Sequence, residues 1–388
     1  MEEESHTLLY LYQTNDRFFA QMAEELKEMA AEELQSLGAT DTREVYRGLH
    51  FGATPKVLYK INYHARLINR VLAPLLTFKC HSDQYLYRKA LQIPWTDFMD
   101  PSSTFAVFAT VSHSAIRHSQ FAALRLKDAV VDFFRQQTGQ RPSIDRRNPD
   151  VWLNLHIQNN EATISLDTSG GSLHRRGYRV GSVTAPMAET VAAAIIRYSG
   201  WDGSVPLYDP FCGSGTLLCE AYMHAANMPA AMLRKKFGFE RLPDFDARVW
   251  QAVRKEGLEG IALLPPGLIS GSDASAEAVN TARKNCAKIT KSEATIRIEQ
   301  KAAFKLDRLR GKTIVCNPPY GIRMNKQPDL PHFYENLGNF LKQRCSGSTA
   351  FIYFGERKYL KNIGLRASWK KPLTNGGLDG RLAKYDLY

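Results

Sequence analysis

The stretch Pro206-Leu207-Tyr208-Asp209-Pro210-Phe211-Cys212-Gly213-Ser214-Gly215-Thr216-Leu217-Leu218 constrains the fold of this chain more than any other. A short apolar run ends on an aspartate, a Gly-Ser-Gly turn follows, and a helical pattern begins at Thr216. Glycine permits tight turns and close approach of the backbone to a ligand. Strand, tight turn and helix in that order form the unit from which nucleotide-binding parallel sheets are built. The third glycine of GxGxxG and the Gly-Lys-Ser/Thr of a phosphate loop are both missing. Asp209 at a strand end calls for a donor or a cation, and an aminoacyl ammonium would satisfy it.

A second strand is expected at Leu268 to Ser272, ending at Asp273 and Ala274. An acid at that position of a doubly wound sheet is the usual partner of ribose hydroxyls. Between the two strands, residues 227–266 read as an insertion rich in Lys, Arg and aromatics. Helix 276–288, strand Thr295 to Gln300, strand Thr313 to Cys316, helix His332 to Gln343 and strand Thr349 to Phe354 continue the alternation, which predicts a parallel sheet. Asn375-Gly376-Gly377 and Asp379-Gly380 before Arg381 to Leu387 carry hairpin signals for its edge.

Strand Thr313 to Cys316 runs into Asn317-Pro318-Pro319-Tyr320. Two prolines cannot donate to a ladder, so the strand must stop there. A residue before proline is held extended, which leaves the Asn317 amide and the following carbonyls free beside the flat face of Tyr320. An amide oxygen, an acceptor carbonyl and an aromatic plate suit a planar group bearing an exocyclic amine. A plain strand-ending turn is the alternative.

Upstream, Leu8 to Tyr12 reads as a short strand and residues 17–37 as a helix that Gly38 stops. Val45 to Phe51 reads as a strand, and Val57 to Leu67 with Val71 to Leu76 as a helix and its continuation. Phe105 to Val111 is a strand and Ser119 to Gln137 an amphipathic helix. Val151 to Gln158 and Ala162 to Asp167 form a hairpin about Asn159-Asn160-Glu161. These segments predict two small α+β units, at 1–84 and 85–168. A linker at 169–184 precedes a helix at 185–198 with Pro186 and Glu189 in its first turns.

The formal net charge is +12. Acids and bases nearly balance over residues 1–165, so the basic excess lies in the remainder. Such a balance suits an anionic partner such as nucleic acid. Arg117 and Arg125 in the second unit, and His174, Arg175, Arg176, Tyr178 and Arg179 in the linker, are candidate phosphate contacts; solvated surface charge is the alternative. The six cysteines have no CxxC spacing, and the histidines show no ligand spacing. Reduced cytosolic thiols and no metal are therefore expected. The acidic start Met1-Glu2-Glu3-Glu4 is unlike a secretory signal, and no apolar run approaches a membrane span. A cytoplasmic protein with no membrane partner is expected.

Asp209 to Thr216 together with Asn317 to Gly321 resembles the S-adenosylmethionine-dependent amino-methyltransferases. Nearly the whole chain is similar to the THUMP-domain methyltransferases that modify the exocyclic N2 amine of a guanine in large-subunit (23S) ribosomal RNA. The resemblance rests on the two-part N-terminal region, the His174-to-Arg179 linker, Glu189-Thr190, Asp273 and Asn375-Gly376 as well as the two motifs. It implies a Rossmann-like α/β methyltransferase domain at 185–388 with a mostly parallel seven-stranded sheet. A ferredoxin-like subdomain and a THUMP domain would precede it. Asp209, Pro210, Cys212, Gly213, Ser214, Gly215 and Thr216 would hold the methionine part of the cofactor, and Asp273 and Ala274 its ribose. Asn317, Pro318, Pro319 and Tyr320 would hold the target amine. Where relatives usually carry an acid near the adenine amine, this chain has Ala302, so a backbone group or Asp307 is expected to substitute, or affinity to fall. The partner would be large-subunit ribosomal RNA. A transfer RNA guanine, another planar amine, or a non-catalytic RNA-binding role in ribosome assembly are the competing readings.

Overall fold

The computed structural model describes residues 9–180, 187–290, 295–319 and 329–388. It divides into two units, residues 1–173 with 234–255, and residues 174–233 with 256–388.

The N-terminal unit is built on one eight-stranded sheet. Its helices and strands follow in the order α1 (Leu11–Asn15), β1 (Arg17–Gln21), α2 (Lys27–Ser36), β2 (Thr40–Val45), β3 (Gly48–Gly52), α3 (Pro55–His64) and β4 (Arg70–Lys79), then α4 (Asp83–Ala90), β5 (Thr104–Ser112), α5 (Ser119–Thr138), β6 (Ser143–Ile144), β7 (Val151–Gln158) and β8 (Glu161–Asp167). The strand order is β2-β3-β1-β4-β8-β7-β5-β6. The two expected α+β units therefore share a sheet, joined where β4 pairs antiparallel with β8.

Three expectations fail here. Residues 17–37 are not one helix: Phe18 and Ala20 alternate inward along β1, and the helix starts only at Lys27. Val71 to Leu76 is not a helical continuation but the middle of β4, with β1 on one side and β8 on the other. A strand covered by neighbours reads as a continuous apolar run, which periodicity cannot separate from a buried helix. Pro74, which lacks the N–H a ladder needs, sits where the β4–β8 register shifts. The expected strand at Leu8 to Tyr12 is instead the approach to α1 from Leu11 onward, and Leu8 lies outside the described residues. The β7–β8 hairpin is as expected: Asn159 and Asn160 take φ of 51° and 58°, the paired left-handed conformations of a tight two-residue turn.

Residues 234–255 also fold into this unit. Their aromatics form core: Tyr59 stacks on Phe239 at 4.5 Å, and Trp250 meets Phe239 edge-on at 5.0 Å and Tyr63 at 5.3 Å. The Arg234 guanidinium donates to the carbonyls of Ser169 at 2.7 Å, Gly170 at 3.0 Å and Ser172 at 3.0 Å. The aromatic content of the insertion is thus internal, whereas Lys235, Lys236, Arg248, Arg254 and Lys255 are exposed.

The C-terminal unit contains α6 (Glu189–Ser199), β9 (Leu207–Asp209) and α7 (Thr216–Ala225), and α8 (Ala247–Glu259) ends in it. It continues with β10 (Ile269–Asp273), α9 (Ala276–Thr290), β11 (Arg297–Gln300), β12 (Thr313–Cys316), α10 (Leu330–Arg344), β13 (Thr349–Phe354), β14 (Trp369–Pro372) and β15 (Arg381–Asp386). Its seven strands are ordered β11-β10-β9-β12-β13-β15-β14. The first five run parallel, and β15 enters antiparallel between β13 and β14. This is the Rossmann-like methyltransferase arrangement expected from the sequence, with β14 a strand the sequence reading missed. Ile314, Cys316, Ile352 and Phe354 of the sheet bury against Tyr334, Leu337 and Leu341 of α10. That packing fixes the carboxyl ends of the strands, where a sheet of this type binds its ligand.

Candidate active site

At those carboxyl ends lies a cavity of about 650 Å³. The loop after β9 reaches it with Asp209, Pro210, Cys212, Gly213, Ser214 and Thr216, β10 with Asp273 and Ala274, the turn after β11 with Ala302, and the end of β12 with Asn317 and Pro319. Residues far apart in sequence thus converge on one space. Gly215 and Pro318 are not on its wall: Gly215 packs on Ala282 of α9, and Pro318 is buried behind. Tyr320 lies outside the described residues, as does Pro186.

The loop is held by backbone geometry. Gly213 takes φ +52°, and its N–H donates to Asp273 Oδ2 at 2.9 Å. Asp273 Oδ1 accepts the Ser275 N–H at 2.9 Å, which leaves each oxygen a further lone pair toward the cavity. A side chain at Gly271 would stand 3.0 Å from the Asp209 carbonyl and 3.1 Å from Cys212 Cβ, so only glycine lets the loop approach β10. The Asn285 amide donates to the Ser214 carbonyl at 2.9 Å.

Asp209 is 1% exposed. Its Oδ1 accepts the Phe211 N–H at 2.9 Å, and among the described residues no Lys, Arg or His is paired with it. Burial pushes its carboxyl well above the usual carboxylate range, and the neighbouring Asp273 charge adds to the shift. An ammonium or sulfonium brought here would relieve both effects. Asn317, 8% exposed, lies across the same cavity.

One part of the wall, an aromatic cluster, was not anticipated. Phe211, Phe304 and Phe333 form an aromatic cluster with centroids 5.5–6.3 Å apart, and Ala302 and Ala303 lie beside it. Phe211 was visible inside the glycine-loop motif, whereas Phe333 on α10 has no local signal. Asp307 does not substitute for the missing acid: it is exposed, pairs with Lys301 at 2.7 Å, and is not on the wall. The set fits a donor with a cationic end, a ribose and a flat apolar base: Asp209 for the first, Asp273 for the second, the Ala302–Phe304 wall for the third.

The linker expectation needs correction. Arg176 and Tyr178 are buried and converge on Glu220, at 3.4 Å from the Arg176 Nε and 3.2 Å from the Tyr178 hydroxyl. Arg179 pairs with Glu189 at 2.8 Å and donates to the Met187 carbonyl and, at 3.3 Å, to Thr216. These three side chains brace α6 and α7, and Arg176 and Tyr178 are sealed from any external phosphate, while Arg179 stays partly exposed. Of the rest, Arg175 is exposed and His174 half-buried. Arg117 is exposed beside a depression with His81 and His118, whereas Arg125 pairs with Asp83 at 3.2 Å and lies over the Tyr87 ring.

Comparison with known proteins decides the family. Residues 176–384 match the RMKL-like methyltransferase domain, residues 80–167 the THUMP domain, and residues 17–72 the RlmL ferredoxin-like domain. This chain belongs to the RMKL-like methyltransferases, an S-adenosylmethionine-dependent family. It is 38% identical over 97% of its length to a Synechocystis protein provisionally named RNA methyltransferase slr0064, of which it covers 98%. It is also 38% identical over 96% of its length to the ribosomal RNA large subunit methyltransferase K/L of Syntrophotalea carbinolica, and 35% identical over 96% to that of Cellvibrio japonicus. The chain spans about half the length of these K/L proteins, 53% and 51%. Among solved structures, SMU.472, provisionally described as a methyltransferase and complexed with S-adenosylhomocysteine (SAH), superposes with a TM-score of 0.82 at 25% identity. The match covers 96% of this chain and 98% of that one. TrmN from Thermus thermophilus shares the fold, with a TM-score of 0.66 over 96% of this chain and 99% of that one at 17% identity.

Proposed function

We propose that this RMKL-like methyltransferase transfers a methyl group to the exocyclic N2 amine of a guanine in large-subunit ribosomal RNA. The observation that carries the reading is the burial of Asn317, immediately before Pro318, on the wall of the cavity that Asp209 and Asp273 also line. The K/L relatives named for large-subunit ribosomal RNA support the substrate. The THUMP match supports an RNA of some size, with residues 1–168 holding it, 169–184 linking, and 185–388 carrying out transfer.

S-adenosylmethionine, when bound, supplies an electrophilic methyl on a sulfonium centre. Asp209 and Asp273 orient it by its cationic and ribose ends. A guanine amine is delocalised into its ring and is a poor nucleophile. The Asn317 side-chain oxygen and the Pro318 carbonyl accept its two N–H bonds, which favours a pyramidal nitrogen and aims its lone pair at the methyl. The base must leave its helix or loop to enter. The amine held by Asn317 and Pro318 would take the methyl from a donor held by Asp209 and Asp273, and the proton displaced from nitrogen would pass to water. Orientation supplies most of the acceleration, since it can contribute roughly 7–11 kcal/mol.

The test is incubation with labelled donor and unmodified large-subunit ribosomal RNA, with transfer RNA alongside, followed by nucleoside analysis. N2-methylguanosine from the ribosomal RNA is expected; label in another nucleoside or only in transfer RNA overturns the reading. Asn317→Ala is expected to bind donor within about threefold of the parent and to lose at least about 10²-fold in transfer, the scale of removing one positioned polar group.

A further inference from the structure

Far from the donor cavity in sequence, the C-terminal unit carries a depression of about 510 Å³ lined by Arg357, Lys358, Lys361, Lys370 and Arg381, with no acid on its wall. Its cations come from two elements: the helical turn Arg357–Lys361 after β13, and the β14–β15 hairpin. Arg381 is fixed, since its guanidinium donates to Asp379 at 2.5 Å and to the Gly380 carbonyl at 2.8 Å. Arg357 lies 3.8 Å from Asp379 and Lys358 2.6 Å from Glu356, so the rim acids reach only part of the charge. No ion pair involves Lys361 or Lys370 among the described residues. Five cations met by only Asp379 and Glu356 leave the concavity net positive, a field that draws anions.

Its place in the sheet gives the depression a direction. β13 runs parallel to β12 with Ile352 beside Cys316, so Phe354 lies at the level of Pro318, one residue past Asn317. Phe354 pairs in turn with Arg381, and Arg381 with Pro372. The basic depression therefore opens at the carboxyl end of the same sheet as Asn317. It is two to three strands away, roughly 10–15 Å at the usual spacing. A few nucleotides of extended single strand cover that distance.

Resting on the reading of the substrate as RNA, we propose that this depression is a phosphate track. It grips the backbone of the RNA strand a few nucleotides from the guanine held at Asn317, and Lys361 and Lys370 are its unpaired contacts. Phosphate contacts of this kind set register and carry no sequence preference. The track thus fixes which guanine of an unpaired segment reaches the cavity, while the base itself is read by the Asn317 element.

The experiment compares the full chain with K361Q/K370Q. Binding to unmodified large-subunit ribosomal RNA is measured across a salt series, with SAH calorimetry and thermal melting in parallel. Each phosphate contact contributes about 0.7–0.9 to the slope of log K against log salt. The double variant should lose about 1.4–1.8 from that slope and about tenfold or more in affinity at low salt. SAH affinity and melting temperature should stay unchanged. An unchanged slope in a variant that melts like the parent overturns the track while leaving the enzyme reading intact. Failure of the parent to bind or methylate any RNA overturns both. If the double variant melts low, K361R/K370R serves as the second measurement, and a parental slope there with a reduced slope in K361Q/K370Q upholds the track.

Discussion

Glu220 and Asp209 are both carboxylates buried in the C-terminal unit, and they face opposite surroundings. Glu220 meets the Arg176 guanidinium and the Tyr178 hydroxyl, all three side chains sealed from water. Asp209 meets one backbone N–H and the like charge of Asp273, with an open cavity in front of it. Burying a carboxylate is costly in either place. Where the chain provides its own cation the cost is met inside the fold, and the group is structural. Where it provides none, the carboxyl is left without a cationic partner, which is the basis for proposing that a ligand supplies one. The difference separates two basic or acidic motifs that sequence alone would treat alike, and it can be broken from either side.

The largest effect is expected at the self-paired carboxylate. Arg176→Met removes the cation and leaves Glu220 buried and uncompensated, which should cost about 3–5 kcal/mol of stability. Urea unfolding measures it. Replacing both partners with apolar residues, R176M/E220L, should recover most of that loss, because no lone charge is left inside. If Arg176→Met melts like the parent and instead weakens RNA binding, Arg176 is a phosphate contact after all and the assignment of the linker fails.

Asp209→Asn should act in the opposite sense on stability and more strongly on ligand. Donor affinity is expected to fall about 10- to 100-fold, the scale of one hydrogen bond to a charged group, roughly 1.5–3 kcal/mol. The ligand-free variant should nonetheless be more stable than the parent at neutral pH. The folded state raises the Asp209 pKa, so below the ordinary carboxylate range both states hold the proton and the substitution changes little. As pH rises, the unfolded chain releases its proton first, and the parent loses stability until the folded group has also ionised. The melting advantage of Asp209→Asn should therefore grow with pH from near zero in acid. A cationic donor favours the ionised group, so parental donor affinity should rise over the same interval. Melting and calorimetry at matched pH values check both trends.

The same contrast explains which parts of the molecule could be read from sequence. The Asp209–Thr216 turn and the stop at Pro318-Pro319 are local events, dictated by glycine conformations and missing N–H donors, and the structure keeps both as expected. Asp273 follows from its position at a strand end. By contrast, β1 and β4 were read as helical because their burial is decided by neighbouring strands distant in sequence. Arg176 and Tyr178 carry the marks of phosphate contacts, yet Glu220 encloses them, and the aromatics of 234–255 pack on Tyr59. A charge or ring announces itself in sequence; its partner does not. Phe333 illustrates the reverse case, a wall residue from α10 whose place at the cavity depends on how that helix packs.

The smallest expected effect lies at the apolar wall. Ala302 is half-buried on the cavity and holds an extended conformation, φ −67° and ψ 138°, as the residue before the helical turn Ala303–Lys305. An aspartate at Ala302 would add a fourth carboxylate to a cavity that Asp209, Asp273 and Glu277 line, and what it meets decides which class it joins. If a base carrying an exocyclic amine lies against Phe304 and Phe333, Ala302→Asp should accept from that amine and tighten donor binding about three- to tenfold, roughly 1 kcal/mol. Position 302 is also a helix-capping position, where aspartate bonds readily to the N–H groups of the following turn. In that event the melting temperature of the ligand-free protein rises while donor affinity stays at the parental value. Measuring both quantities on the one variant separates an acid completed by ligand, as proposed for Asp209, from an acid completed by the chain itself, as at Glu220.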